Sequence, residues 1–103
     1  MLETWGGRSK FNYSGSVETG TDIVYGQGWK VSVSAEEYVN LRHHFMGRIV
    51  QVGTSRTDPP PESLGAWLQA NVTQLAIASY VAPILVIEGY AKRVGKHDIQ
   101  IIK

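Results

Sequence analysis

One stretch of this sequence has to be hidden from water. From Leu75 to Ile87 the chain is apolar apart from Ser79 and Tyr80, with Pro83 the only other interruption. The run falls well short of the roughly 20 residues that a helix needs to cross a bilayer, so it reads as a buried core segment. The rest of the chain can supply that core. Of 103 residues 43% are hydrophobic, which suits one globular domain. A chain of this size buries about two-thirds of its unfolded surface and can fold without staples. There are no cysteines, which rules out disulfides, thiolate metal sites and thiol catalysis together. With no apolar stretch between Met1 and Lys10 to act as an export signal, the expected setting is cytoplasmic and away from membranes.

Residues 1–9 contain Gly6, Gly7 and Arg8 without periodicity, and read as an arm that Leu2 and Trp5 could pin to the body. In the next segment, 10–33, apolar and polar residues alternate at Phe11, Tyr13, Gly15 and Val17, and again at Trp29, Val31 and Val33. That period belongs to half-buried strands. With a turn around Gly20 and a bulge or tight approach at Gly26 and Gly28, the two stretches suggest an antiparallel hairpin.

Helical signals start at Ser34-Ala35-Glu36-Glu37, which matches a capping box. Tyr38, Leu41 and Phe45 follow at helical spacing, and Gly47 is placed to end the helix. Ile49 to Val52 reads as a short strand, and Pro59, Pro60 and Pro61 mark a stiff loop. Ser63 can cap a helix through Leu64, Trp67 and Leu68, with Asn71 as a left-handed breaker. Thr73 can cap the helix after it, and Gly89 can stop that helix. A proline in a regular helix interior costs about 3 kcal/mol. Pro83 therefore either kinks this helix or ends it near Val81, leaving Ile84 to Val94 as a strand. Tyr90 to Val94 and Asp98 to Ile102 form a last hairpin around Gly95-Lys96-His97.

The expected fold class is thus α+β, with order α-β-α-α-β-β over residues 34–103 and a β-hairpin before it. From Val72 and Thr73 the sequence runs through Ile84 and Leu85 to Glu88-Gly89, then Tyr90-Ala91, Lys92-Arg93 and Gly95. This order and these residues resemble the winged-helix family of helix-turn-helix domains. The resemblance implies a DNA-binding regulator acting as a homodimer on double-stranded DNA. Thr73, Gln74 and Ser79 would then lie at the reading end of the recognition helix. Lys92, Arg93, Lys96 and His97 would form a wing that meets phosphate, and Arg56 would add a contact from the loop.

Two features oppose that implication. The formal charge is +1, with 10 Lys+Arg against 9 Asp+Glu, which counts against a large phosphate footprint. No Arg or Lys lies between Thr73 and Glu88. The alternatives are a protein-interaction or oligomerisation module of the same fold, pairing through the edge of the N-terminal hairpin, or a small-molecule binder with a cleft near Arg56 and Trp67. His43 and His44 point about 100° apart on a helix and lack a further ligand at metal spacing, so no cofactor or metal is expected. No catalytic constellation can be assembled from these residues, which argues against an enzyme.

Overall fold

The computed structural model describes residues 1–103 as a mixed α+β fold with three helices and two antiparallel sheets. The first sheet has four strands in sequential order: β1 (Leu2–Glu3), β2 (Lys10–Ser16), β3 (Gly20–Tyr25) and β4 (Trp29–Ser34). The expected two-stranded hairpin over residues 10–33 is therefore three strands, joined by two tight turns. Thr21, Ile23 and Tyr25 alternate just as their neighbours do. Gly20, read as the turn, is instead the first residue of β3, with φ +98°. The registers Tyr13 with Ile23, Ile23 with Val31, and Tyr25 with Trp29 put these side chains on one face. That face buries Phe11, Ile23 and Val33, while the other carries Asn12, Ser14, Asp22, Lys30 and Ser32.

The residue 1–9 segment is not a loose arm. Leu2 pairs with Phe11 through β1, and Trp5 is buried at 5% exposure.

Helix α1 (Ala35–Phe45) follows β4 directly. Its capping box is complete: the Ser34 hydroxyl accepts from the Glu37 amide at 3.0 Å, and the Glu37 carboxylate accepts from the Ser34 amide at 2.8 Å. Buried Tyr38, Leu41 and Phe45 form its inner stripe. The Tyr38 hydroxyl meets Thr21 Oγ1 at 2.7 Å, which ties the helix to β3. His43 and His44 are both exposed.

Strand β5 (Ile49–Gln51), helix α2 (Leu64–Asn71), helix α3 (Ala78–Ile87) and strands β6 (Ala91–Val94) and β7 (Asp98–Ile101) complete the chain. The second sheet has the order β5-β7-β6, so β7 lies between two strands that precede it in sequence. Ser63 caps α2 by accepting from the Ala66 amide at 3.1 Å. The start of α2 lies directly on the backbone leaving β5. The Gly65 amide donates to the Val52 carbonyl at 2.8 Å. A Cβ on Gly65 would sit 1.9 Å from the Gly53 carbonyl oxygen.

The segment between α2 and α3 differs from expectation. Asn71 ends α2 without a left-handed backbone, since every positive φ in the chain belongs to a glycine. Thr73 does not cap α3. Its hydroxyl accepts from the Leu75 amide at 3.4 Å in a local turn, and α3 begins at Ala78 with no side-chain cap. The helix then continues through Pro83 to Ile87, so residues 84–87 are helical and not strand. A proline at 83 leaves the carbonyl four residues earlier, on Ser79, without its helical donor. The Trp5 amide supplies that donor at 2.9 Å. Gly89, with φ +84°, ends the helix as expected.

Helix α3 occupies the middle of the molecule. Ala78, Val81, Ala82, Ile84 and Leu85 are buried in one cluster that takes in side chains from both sheets and the other two helices. Ile87 is the only α3 residue exposed. No helix is long and apolar enough to cross a membrane.

Candidate functional site

The residues expected to touch DNA fall in two separate places. Lys92, Arg93, Lys96 and His97 lie on the β6–β7 hairpin, and all four are exposed. They do not form one cationic face. Lys92 pairs with Gln100 and Arg93 with Ile99. Successive strand residues point to opposite sides, so Arg93 shares the side of buried Ile99. There its guanidinium lies 4.0 Å from the Trp5 ring centre and donates to the Trp5 carbonyl at 3.0 Å. The Trp5 indole donates in turn to the Lys96 carbonyl at 2.9 Å. Arg93 is thus committed to holding the N-terminal segment, which leaves Lys92, Lys96 and His97 as the free groups of this hairpin.

Thr73, Gln74 and Ser79 do not lie together on one helix. Thr73 and Gln74 precede α3, and half-buried Ser79 has its carbonyl taken by Trp5. The first sheet meets α3 near its start, at Tyr80, and just past its end, at Glu88. The Phe11 ring meets Tyr80 edge-on at 5.2 Å, and Tyr25 stacks on Tyr80 at 4.9 Å with 26° between planes. Beyond the C-terminal end of α3, Glu88 accepts from the Tyr13 hydroxyl at 2.7 Å and from the Val17 amide at 2.9 Å. Burial first, and then the hydrogen bond to and charge of Glu88, push the Tyr13 phenol up to about 12.

Arg56 and Gln74 do come together, far from any wing role. They line a cleft of about 340 Å3 with Tyr25, Leu75, Ile77 and Tyr80. The wall expected from Trp67 is absent, because that ring packs near Phe45 and His44 at centroid distances of 6.3 Å. In its place stands the Tyr25–Tyr80 stack, a product of the unrecognised strand β3. Burial raises the Tyr80 phenol above its ordinary pKa, the Tyr25 charge adds to this, and the nearby Arg56 cation opposes it.

Trp29 extends this surface. It is the cross-strand partner of Tyr25 and lies on the same face, yet it is 68% exposed. Gly26 supports it: a Cβ there would come 3.2 Å from Trp29 Cδ1, and its φ of +59° disfavours a side chain. Leu75 adds a further exposed apolar group at 51%. Tyr25, Tyr80 and Leu75 thus line the cleft with Arg56, and Trp29 stands beside Tyr25 on the same face, outside the cleft. Alternation in the sequence could have revealed Tyr25 as its partner to Trp29. The Tyr80 contact joins positions 55 residues apart and leaves no local trace.

No cluster of three His, Asp or Glu side chains is placed to hold a metal ion. Comparison with protein-family models, curated proteins and solved structures returned no match.

Proposed function

We propose that this is a non-enzymatic protein-interaction domain that docks partners on a Trp29–Tyr25–Tyr80–Leu75–Arg56 surface, built between the N-terminal sheet and a winged-helix-like segment over residues 34–103. The observation that carries the reading is Trp29, a large aromatic left 68% exposed and seated on a glycine within an aromatic patch. Trp, Tyr and Arg are the residue types that most often dominate protein interfaces. An aromatic patch that monomer folding leaves open marks a contact surface.

The winged-helix-like part rests on the order α1-β5-α2-α3-β6-β7 and the β5-β7-β6 sheet. Major-groove reading by α3 is disfavoured, because every residue of the helix except Ile87 is buried or half-buried and it carries no cation. Residual DNA binding through the wing is the second reading, favoured by exposed Lys92, Lys96 and His97. It would be contact with phosphate only, weak and salt-sensitive.

Three measurements separate these readings. Light scattering across a wide concentration range asks whether the partner is a second copy. In that case Trp29→Ala should shift the protein to monomer. If the protein is monomeric, selection from a displayed random-peptide library should recover binders that lose at least about tenfold in affinity on Trp29→Ala, as hot-spot truncation does. Anisotropy of a mixed-sequence duplex at low salt should show little binding. Tight, salt-sensitive binding abolished by neutralising Lys92 and Lys96 would favour the DNA reading instead.

A further inference from the structure

We infer that the cleft beside Arg56 takes the carboxylate of an acidic side chain from an extended partner segment, whose adjacent apolar or aromatic residue lies against Tyr25, Tyr80 and Leu75. The inference rests on the interaction-surface reading and specifies the chemistry of the partner.

Charge is the first argument. The Arg56 guanidinium has no counter-ion in the protein. The ion pairs formed are Lys30 with Asp22 and Arg48 with Glu62. The arginines that lie over rings are Arg42, Arg48 and Arg93. What fixes Arg56 is its backbone, whose carbonyl accepts from Gln69 Nε2 at 3.1 Å. The residue is therefore anchored by the main chain while its planar donor fork stays free, and that fork matches a carboxylate in bidentate geometry. Its cation lies close enough to Tyr80 to work against the effect of burial on that phenol.

Shape is the second argument. The cleft, at about 340 Å3, holds one or two side chains. Its walls mix Leu75, Ala76, Ile77 and the rings of Tyr25 and Tyr80 with the polar groups of Arg56 and Gln74, so it suits a ligand that joins an apolar part to an anionic head. A wholly apolar segment would leave the Arg56 and Gln74 donors unmatched at the contact, and a basic one would meet Arg56 with like charge. The neighbouring Trp29 gives a partner that lies along β4 a second anchor on the same face.

The probe is the displayed random-peptide library, selected against the whole protein and read by sequencing, followed by affinity measurements on synthetic peptides. Binders should be enriched in Asp or Glu next to Phe, Trp, Tyr, Leu or Met. Replacing that acid by its amide should weaken binding at least about tenfold, as should Arg56→Ala, while Arg56→Lys should keep part of the affinity because it retains charge but loses the fork. Arg56 and Trp29 are both exposed, and far-UV circular dichroism checks that the variants fold. Trp29-dependent binders without acid enrichment and indifferent to Arg56→Ala would overturn this inference and leave the docking surface standing. A dimer that Trp29→Ala dissociates would likewise overturn this inference and leave the docking surface standing, whereas a monomer whose library yields no Trp29-dependent binder would overturn both.

Discussion

Glu88 and Tyr13, separated by 75 positions, share a 2.7 Å hydrogen bond that joins the end of α3 to the second strand of the N-terminal sheet. The other carboxylate oxygen of Glu88 takes the Val17 amide. This one side chain therefore fixes the sheet against the helix it covers. Tyr13 ordinarily titrates at 10.0 and is held to about 12 in the folded chain. A pKa raised on folding favours the protonated form, so its stabilising contribution is complete below pH 10 and is lost as pH rises towards 12. Urea unfolding measured from pH 9 to 12 should show stability falling with pH. Tyr38, raised mainly by its burial, acts in the same direction. Glu88→Gln should make the fall shallower and cost about 1–3 kcal/mol at neutral pH, since it weakens two hydrogen bonds to a carboxylate.

The pairing of the Trp5 amide with the Ser79 carbonyl predicts an unusual outcome at Pro83. In a regular helix interior, replacing proline by alanine should gain about 3 kcal/mol. Here the freed carbonyl already has a donor, so Pro83→Ala should gain less than about 1 kcal/mol in chemical denaturation, a third of that general figure. Trp5→Ala should cost about 3–5 kcal/mol, as removal of a buried large aromatic does.

The cations of the β6–β7 hairpin should separate by role. Arg93→Ala removes the donor to Trp5 and the ring contact, and should lower stability by about 1 kcal/mol. Lys92→Ala and Lys96→Ala should each stay within about 0.5 kcal/mol of the parent. Thermal or denaturant midpoints for the three variants check the order.

Gly65→Ala reverses the usual sign of a glycine replacement in a helix. The general preference is for alanine by up to about 1 kcal/mol. Because the new Cβ would meet the Gly53 carbonyl oxygen, α2 must shift away from the chain that leaves β5. The cost should be about 1–3 kcal/mol, as for other overpacked sites, measured by denaturant titration.

The features of this fold that could be read from sequence are the ones whose causes are local. The capping box at Ser34 and Glu37, the Ser63 cap and the Gly95–His97 turn each need only a few neighbouring residues, and each forms where expected. Strand β3 was hidden because Gly20 reads as a turn when its partners are unknown, although it opens a strand. The start of α3 was misplaced because Thr73 is a good cap by type, while its hydroxyl serves the Leu75 amide. Pro83 looked like a helix end because the donor for Ser79 comes from residue 5. The candidate site suffered most. Arg56, Gln74, Tyr25, Tyr80 and Trp29 come from β3, β4, two connecting segments and α3, and only the packed structure unites them.

The ties from Trp5 to Lys96 and Arg93 also govern when this chain can fold. During synthesis Phe11, Ile23 and Val33 emerge before α3 and the β6–β7 hairpin exist to cover them. Contacts between distant positions slow folding and prolong the exposure of apolar surface. The native state must therefore form late, after position 96 has left the ribosome. Until then these apolar side chains lack their native cover, and chaperone dependence or aggregation should be greatest in that interval.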